Sequence, residues 1–276
     1  MASELQKLLD RENVKKRFNE VLGENAPGFL SALLTIYNSN KLLQNCDAWS
    51  ILGAAGLAAT LKLSITPSLG QAYVVPYNGR ATFQIGFRGL IQLAHRTGKY
   101  TALHAGKVCE GELKGFNPIT GEPIPGEKLS DEIVGYIAYM RLNNGFEKTL
   151  YMTVGEIEEH AEKFSQGYQT DKRKGCSFSP WSKHFEAMAT KTVLKKLLNN
   201  WGILSPDLAE AIQGDQSVVD KKSFAYIDNG GDVQNRGEIN IPEDFPVVYD
   251  EYVDEETGEV QETSEPPEND GTTIEK

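Results

Sequence analysis

Residues 71–99 read QAYVVPYNGRATFQIGFRGLIQLAHRTGK, and this stretch decides the fold because it combines a hairpin, a helix and a glycine stop. Residues 73–75 predict one strand, and residues 81–85 predict the strand that returns beside it. Between them, Asn78 and Gly79 predict a type I′ turn, because both residues tolerate the positive φ angles that this turn requires. The first half of the stretch is therefore predicted to form an antiparallel hairpin.

The second half of the stretch predicts a helix over residues 86–97, ended by Gly98 in the left-handed conformation. One face of this helix is apolar, and another carries Arg88 and Arg96. These arginines and Arg80 form a first basic unit, which lies beside four aromatic residues, Tyr73, Tyr77, Phe83 and Phe87. Cations beside aromatic rings suit a surface that holds phosphates and contacts bases. The alternative is a half-buried α+β unit with a solvated basic face.

The composition is typical of a globular protein without a membrane segment. The 276 residues can bury a full core in one domain, and 39% are hydrophobic. The longest uncharged apolar stretch, residues 49–61, is too short to span a bilayer, and no secretory signal is visible. Three widely spaced cysteines, Cys46, Cys109 and Cys176, predict neither disulfides nor a zinc site. We therefore expect a cytoplasmic protein with reduced thiols and no membrane association.

The net charge of −11 is distributed very unevenly along the chain. Residues 221–276 contain 16 acidic and 4 basic residues, whereas residues 1–220 contain 23 acidic and 24 basic residues. After Ser217 the chain also has few hydrophobic residues, so that it buries too little apolar surface to offset the entropy of ordering. The sequence therefore predicts a folded domain over residues 1–217 and a flexible, disordered acidic tail over residues 218–276.

Periodicity and turn residues predict the remaining elements of the folded domain. Helices are expected over residues 4–22, 27–37, 48–61, 153–163, 179–200 and 206–212. Strands are expected over residues 100–110, 132–143 and 146–152, the last two forming a second hairpin. The glycine- and proline-rich residues 111–128 predict a loop or mobile flap, and residues 164–178 a polar loop. This order predicts an α+β fold, in which a curved antiparallel sheet of hairpins packs with helices and follows a helical N-terminal region.

A second basic unit lies near the end of the folded domain. Its members are a predicted loop cluster and lysines on the helix that starts at Pro180: Lys172, Arg173, Lys174, Lys183, Lys191, Lys195 and Lys196. Lys191 and Lys195 are one turn apart and are expected to share an exposed face. Single-strand binding requires a groove that neutralises phosphates and offers aromatic faces for bases. The two basic units are candidates for the two walls of such a groove, and a solvated amphipathic helix face is the alternative.

Common catalytic motifs are missing from the sequence. There is no GxxxxGK[ST] loop for ATP phosphates, no GxGxxG and no GxSxG. Four histidines have no ligand partner at a usable spacing and are expected to be surface or packing residues: His95, His104, His160 and His184. An ATP-driven mechanism is therefore disfavoured.

One enzymatic interpretation remains open. Glu112 and Lys114 form a Glu-x-Lys pattern, and Glu110 precedes them. Two-metal nucleases hold Mg²⁺ with such carboxylates and stabilise developing charge with the lysine. Against this interpretation, a three-residue pattern is common by chance, and this one lies at the edge of the predicted loop.

The runs AYVVPYNG and FQIGFRGLIQLAHRTG resemble the RecT family of phage and prophage single-strand annealing proteins. The resemblance extends from about Leu5 to Ile212 and includes the segment SPWSKHFEAMATKTVLKKL. It implies a recombinase that binds single-stranded DNA and anneals complementary strands without ATP, in a ring or a filament. Implied partners are single-stranded DNA, the annealed duplex, further copies of the chain, a phage 5′→3′ exonuclease and the host single-strand binding protein.

This resemblance implies that the chain is not an enzyme and needs no cofactor, with Mg²⁺ at most a modulator that screens phosphates. The predicted phosphate contacts are the cations of the two basic units: Arg80, Arg88, Arg96, Lys172, Arg173, Lys174, Lys183, Lys191, Lys195 and Lys196. Tyr77 and Phe87 are the predicted stacking residues. No catalytic and no metal-binding residue is expected. A metal-dependent nuclease and a non-DNA prophage interaction protein remain the alternatives.

Overall fold

The computed structural model of the chain describes residues 3–215, 217–220, 223–226, 252–253 and 260–261. The chain divides into two compact units, Met1–Asn240 and Ile241–Lys276. The described part of the second unit is an antiparallel pair of short strands, Tyr252–Val253 and Val260–Gln261. The first unit contains every predicted site residue.

Among the described residues, five α-helices precede the hairpin and confirm the predicted helical N-terminal region: α1 (Glu4–Leu9), α2 (Glu12–Leu22), α3 (Ala26–Ser39), α4 (Lys41–Gln44) and α5 (Ala48–Thr60). Helix α5 begins after Asp47, whose carboxylate accepts the backbone N–H of Ser50 at 2.8 Å. Such an N-cap satisfies one of the free N–H groups of the first turn. Most of α5 is buried, because its alanines allow neighbouring elements to approach closely.

The predicted hairpin is confirmed as the strands β1 (Ala72–Tyr77) and β2 (Arg80–Ile85). Asn78 and Gly79 have φ angles of 46° and 79°, as a type I′ turn requires. Helix α6 (Phe87–Arg96) follows and is ended by Gly98, which has a φ of 64°. Local sequence chemistry therefore determines this part of the fold.

Two glycines let α6 lie against the chain that leads into β1. A Cβ atom on Gly86 would stand 2.1 Å from the carbonyl oxygen of Gly70, and one on Gly89 would stand 2.1 Å from that of Gln71. Both distances are far below van der Waals contact, so that only glycine fits at either position.

A three-stranded antiparallel sheet follows α6. Its strands, in the order in which they pair, are β3 (Tyr100–Cys109), β6 (Ile133–Leu142) and β7 (Glu147–Thr153). Two short strands, β4 (Leu113–Phe116) and β5 (Pro123–Pro125), lie between β3 and β6 in the chain. The predicted second hairpin is thus confirmed, and Thr153 and Glu156 form the capping box of the next helix.

The prediction of a loop or flap over residues 111–128 is wrong in part. Residues Leu113–Phe116 (β4) and Pro123–Pro125 (β5) pair as a short antiparallel hairpin. Glycine at the base of this hairpin lets its two chain segments approach closely: Gly126 donates its N–H to the carbonyl oxygen of Glu112 at 2.8 Å. Phe116 lies 6.1 Å from the ring of Tyr151, which holds this hairpin against β7.

Five helices complete the described core: α7 (Val154–Phe164), α8 (Gln166–Lys174), α9 (Pro180–Lys183), α10 (Phe185–Trp201) and α11 (Pro206–Gly214). Helix α8 corrects the prediction of a polar loop over residues 164–178. The single helix predicted from Pro180 is two helices, because the backbone of His184 leaves the helical region at φ −138° and ψ 50°. In the part of the chain that the structure describes, no helix is both long and apolar enough to cross a bilayer.

Two hydrophobic clusters form the interior, and α10 contributes to both. The first joins the N-terminal helices, the hairpin, α6 and α11, and receives Leu194 and Leu198 of α10. The second joins the three-stranded sheet with α7, α8 and α9, and receives Val193 and Leu197. Helix α10 therefore connects the part of the fold that carries the first basic unit to the part that carries the second.

Two further strands continue the hairpin sheet beyond the predicted domain boundary. Strand β8 (Ser217–Asp220) pairs with β2, and β9 (Ser223–Tyr226) pairs with β8, so that the strand order is β1-β2-β8-β9. Residues 218–226 thus include strands where the sequence predicted none. The division at residue 217 stays a prediction, and most of the predicted acidic tail lies outside the described residues. The α+β prediction is confirmed, with antiparallel strands divided between separate sheets.

Candidate nucleic-acid interface

Eight of the ten predicted phosphate contacts have exposed side chains, which leaves Lys195 half-buried and Lys191 buried. In the first basic unit, Arg80 stands at the start of β2. Arg88 lies in the first turn of α6, where its Nη1 is 3.4 Å from the carbonyl oxygen of Ser68. Both guanidinium groups lie where a phosphate backbone can reach them.

Arg96 has a structural partner that the sequence did not reveal. Its Nη1 donates to the carbonyl oxygen of Leu61 at 2.6 Å, and its Nη2 donates to that of Lys62 at 2.7 Å. These carbonyl groups follow the end of α5 and have no partner within that helix. Arg96 therefore fastens α6 to α5, and its contact with phosphate stays a prediction.

The three cations that follow one another in the second basic unit occupy the last turn of α8, not a loop. Cations are favoured at this end because the backbone dipoles place partial negative charge there. Lys172 pairs with Glu162, and this hydrogen bond raises the pKa of Lys172. Its Nζ also lies 5.3 Å from the centre of the Tyr168 ring. Arg173 and Lys174 are exposed beside it.

A buried carboxylate fixes the position of α8 against α9. Asp171 accepts the backbone N–H groups of Ser179 at 2.7 Å and Phe178 at 3.0 Å. It also accepts the hydroxyl of Ser182 at 2.7 Å. These hydrogen bonds, that from the Ser179 backbone foremost, hold the pKa of Asp171 well below its usual range. Asp171 therefore stays ionised and sets the distance between the cations of α8 and Lys183 of α9.

Lys191 does not share an exposed face with Lys195, and this expectation is wrong. Lys191 is buried, with its Nζ 3.2 Å from Oδ1 of Asp215, whereas Lys195 reaches Oδ2 at 2.7 Å. The backbone N–H of Ile85 also donates to Oδ1, at 3.0 Å. Burial raises the pKa of Asp215, but the two ammonium groups outweigh it and the pKa is lowered. A buried charge requires such partners because its transfer from water is costly.

The elements that carry the two basic units are connected at three places in the structure. The hydroxyl of Tyr77, at the hairpin turn, hydrogen-bonds the side chain of Gln166 at the start of α8. Phe87, at the start of α6, lines one pocket together with Lys183. Asp215 joins the end of β2 to the lysines of α10. The predicted walls are thus neighbours in space, although the predicted stacking residues Tyr77 and Phe87 are half-buried.

Sequence reasoning missed two residues of this region. Asp215 accepts a hydrogen bond from the backbone N–H of Ile85, 130 positions away, and no local sequence pattern predicts such a contact. His160 was expected to be a surface or packing residue, but it lines a pocket with three lysines. Burial, followed by the charges of Lys196, Lys195 and Lys163, lowers its pKa to about 4. The sequence did not predict this cluster, because His160 and the three lysines lie about 30 residues apart in the chain and come together only in the folded structure.

The carboxylates of the nuclease alternative have hydrogen-bond partners of their own. Glu112 accepts the backbone N–H of Cys109 at 2.7 Å, and Glu110 accepts the hydroxyl of Ser130 at 2.8 Å. Within the described ranges, no group of three or more histidine, cysteine or acidic residues is placed to hold a metal ion. The role of Mg²⁺ stays a prediction.

The structure defines an α+β protein in which elements from two distant segments, each carrying exposed cations, lie against one another. Such an arrangement suits a nucleic-acid backbone. The model of the RecT family matches residues 27–226. The chain is 45% identical over 207 residues to the uncharacterized protein YqaK of Bacillus subtilis strain 168, a match that covers 74% of this chain and 69% of YqaK. It is 31% identical over 166 residues to Protein RecT of Escherichia coli strain K12, covering 56% of this chain and 58% of that protein.

The chain belongs to the RecT family, and the resemblance seen in residues 72–98 is confirmed. Family membership associates it with phage-type single-strand annealing and DNA recombination. The matched region begins within the N-terminal helices and ends at the last residue of β9.

Proposed function

We propose that this protein binds single-stranded DNA through its phosphates and anneals it to a complementary strand without ATP. The observation that carries the proposal is the contact between the elements of the first basic unit, the hairpin and α6, and the elements of the second, α8, α9 and α10. Phosphate contacts position a strand without reading its sequence. The bases then stay free for pairing, which supplies the specificity, while the cations reduce repulsion between the two strands. No bond is made or broken by the protein.

The contacts divide the predicted residues into two roles. Seven of the eight exposed cations are proposed to contact phosphates directly: Arg80, Arg88, Lys172, Arg173, Lys174, Lys183 and Lys196. Lys195 is half-buried and forms an ion pair with Asp215, so it is proposed to reach a phosphate only from the edge of the exposed cations. Arg96 and Lys191 are proposed to hold the walls in place, because their donors are engaged by carbonyl and carboxylate oxygens.

The proposal extends to the assembly. Annealing of long strands requires many contacts in register, which several copies of the chain in a ring or filament would supply. A phage 5′→3′ exonuclease that exposes single strands and the host single-strand binding protein are the proposed partners. Mg²⁺ is proposed to act by screening phosphates, as any divalent cation would.

Binding to single strands should weaken steeply with salt. Each neutralised phosphate releases counterions, so the slope of log affinity against log salt should be roughly −0.7 per contact. Arg88→Ala removes one exposed cation and should reduce the slope by about that amount, equally for oligo-dT and for a mixed sequence. Fluorescence anisotropy titrations between about 50 and 200 mM salt measure both quantities.

The matched control is Lys16→Ala, which removes an exposed cation from α2, outside both basic units. Its slope and affinity should equal those of the parent protein. Binding that is insensitive to salt would contradict the proposal, as would a loss for Arg88→Ala that depends on the DNA sequence.

Annealing of complementary oligonucleotides should reach full yield without any nucleotide, because no phosphate-binding loop for ATP is present in the sequence. Gel electrophoresis with end-labelled strands measures the yield and detects cleavage at the same time. With EDTA the strands should keep their length and still anneal. Shortened products that appear with Mg²⁺ and disappear in Glu112→Gln would support the nuclease instead.

A further inference from the structure

A pocket of about 160 Å³ lies between α7, α9, α10 and α11. Its polar lining comes mainly from His160 of α7, Lys191, Lys195 and Lys196 of α10, and Asp215 after α11. This volume accommodates a group much larger than one water molecule. The buried ring of Trp181 forms part of its wall, and the rim includes Phe164, whose side chain is 38% exposed.

The pocket carries an excess of positive charge. It contains three ammonium groups and one carboxylate, and both oxygens of that carboxylate already accept from Lys191, Lys195 and a backbone N–H. Among the described residues, Lys196 has only the sulfur of Met152 as a hydrogen-bond partner, at 3.9 Å. Lys191 is buried and Lys195 is half-buried, and such cations are costly unless anions compensate them. The single carboxylate of Asp215 compensates the three ammonium groups only in part.

His160 adds a neutral donor to these cations. Its pKa of about 4 keeps the imidazole uncharged near neutral pH, so that one ring nitrogen carries a hydrogen and the other does not. The ring is held 4.7 Å from that of Phe164 and 6.5 Å from that of Trp181. Within the part of the chain described, neither ring nitrogen has a hydrogen-bond partner. A ligand in the pocket can therefore accept a hydrogen bond from His160 as well as from the lysines.

We infer that this pocket is a phosphate site, which binds one phosphate group of the DNA strand through Lys195, Lys196 and His160. The inference deepens the proposed function and rests on it, because it names where one particular phosphate is held. A phosphate offers several acceptor oxygens in different directions, which matches donors that arrive from α7 and α10. Lysine suits such a group because it acts as a compact point charge. The exposed ring of Phe164 then lies where the adjoining base can stack.

Histidine footprinting tests the inference on the full chain. Diethylpyrocarbonate acylates neutral imidazole, and mass spectrometry of peptides reports each of the four histidines separately. Saturation with oligo-dT at tenfold its Kd should slow acylation of His160 by about tenfold, since mass action then fills the site. His104, exposed on β3, should react at the same rate with and without DNA.

Two variants test whether the protection of His160 by DNA depends on the lysines of the pocket. Lys196→Gln should weaken the protection of His160 by oligo-dT, and Lys16→Gln, far along the chain on α2, should not. Neither lysine makes an ion pair in the described structure, so both proteins are expected to fold. Circular dichroism and the rate of His104 acylation verify this.

Three ligands identify the source of the phosphate. Equal protection by 5′-phosphorylated and 5′-hydroxyl oligo-dT supports the inference with an internal phosphodiester. Protection by the 5′-phosphorylated strand alone supports it with a strand end. Inorganic phosphate alone should protect at higher concentration, because it brings the same chemistry without the remaining contacts.

Two outcomes overturn the inference. If anisotropy shows that oligo-dT binds but His160 reacts at an unchanged rate, the pocket is not a phosphate site and the proposed function stands. If His160 already reacts slowly in the free full-length protein, and its rate rises with salt but does not fall further with oligo-dT, the occupant is an acidic segment of the chain itself. If oligo-dT does not bind at all, the proposed function fails. Protection of His160 by inorganic phosphate alone then shows whether the pocket binds phosphate.

Discussion

Replacement of Asp215 with alanine is expected to lower the free energy of unfolding by about 3–5 kcal/mol, because it leaves a buried charge without its partner. The carboxylate is only 3% exposed and accepts from Lys191, Lys195 and the backbone N–H of Ile85. Its loss leaves the buried Lys191 ammonium and that N–H group unsatisfied. Urea denaturation followed by circular dichroism measures the change.

Lys196→Ala is the matched control, because this lysine lies on the same helix but is exposed and has no carboxylate partner among the described residues. Its stability should stay within about 0.5 kcal/mol of the parent protein. An equally small effect for Asp215→Ala would mean that the buried ion cluster does not form. Removal of Lys191 and Lys195 together is also expected to destabilise the fold, because it leaves the buried Asp215 carboxylate without its cations.

Gly89→Ala is expected to cost about 3 kcal/mol of unfolding free energy, the upper part of the range for overpacking a tight interior. The new Cβ atom would stand 2.1 Å from the carbonyl oxygen of Gln71 and 3.0 Å from a side-chain carbon of Ile85. A backbone carbonyl cannot rotate away as a flexible side chain can. Helix α6 would have to separate from the hairpin, and the first basic unit would lose its geometry.

Gly155→Ala provides the comparison, since this glycine is also helical but has no atom within 4 Å of an added Cβ. Alanine should be neutral there or stabilising by up to about 1 kcal/mol, because it reduces the entropy of the unfolded chain. Thermal unfolding of the two variants side by side distinguishes close packing from helix propensity. Similar melting temperatures would contradict the close approach of α6 to residues 70 and 71.

The buried ion cluster of Asp215, Lys191 and Lys195 also positions the elements that carry the candidate interface. Asp215 connects the end of β2 to α10, so that the lysines of α10 are held relative to the strand that leads into α6. Under the proposed function, a surface held in this way would contact phosphates without reading the base sequence. The protein would then treat all strands alike, and base pairing would supply the discrimination.

Local chemistry was sufficient to predict the hairpin and α6. Asn78 and Gly79 favour the positive φ angles of their turn, and Gly98 ends the helix for the same reason. The capping box at Thr153 and the N-cap at Asp47 are equally local, because each is formed within four residues. These elements depend on neighbours in sequence and would form alike in many folds.

Elements without strong local preference were predicted less well. Residues 166–174 are polar and suggested a loop, but Asp171 and Tyr168 are buried on one side of a helix. The glycine- and proline-rich residues 113–125 suggested a flap, but contact between Phe116 and Tyr151 accompanies a short hairpin there. In both cases packing against distant residues decided the structure, which a local reading cannot include.

The sequence by itself determined the α+β class, the hairpin with its helix, the charge types of the interface and the membership of the RecT family. These properties follow from residue identity and short-range spacing. Only the tertiary structure decided that Lys191 is buried, that Arg96 caps α5 and that His160 lies among lysines. The physical reason is that burial and ion pairing depend on atoms brought together from positions up to 130 residues apart, and such proximity exists only after the chain has folded.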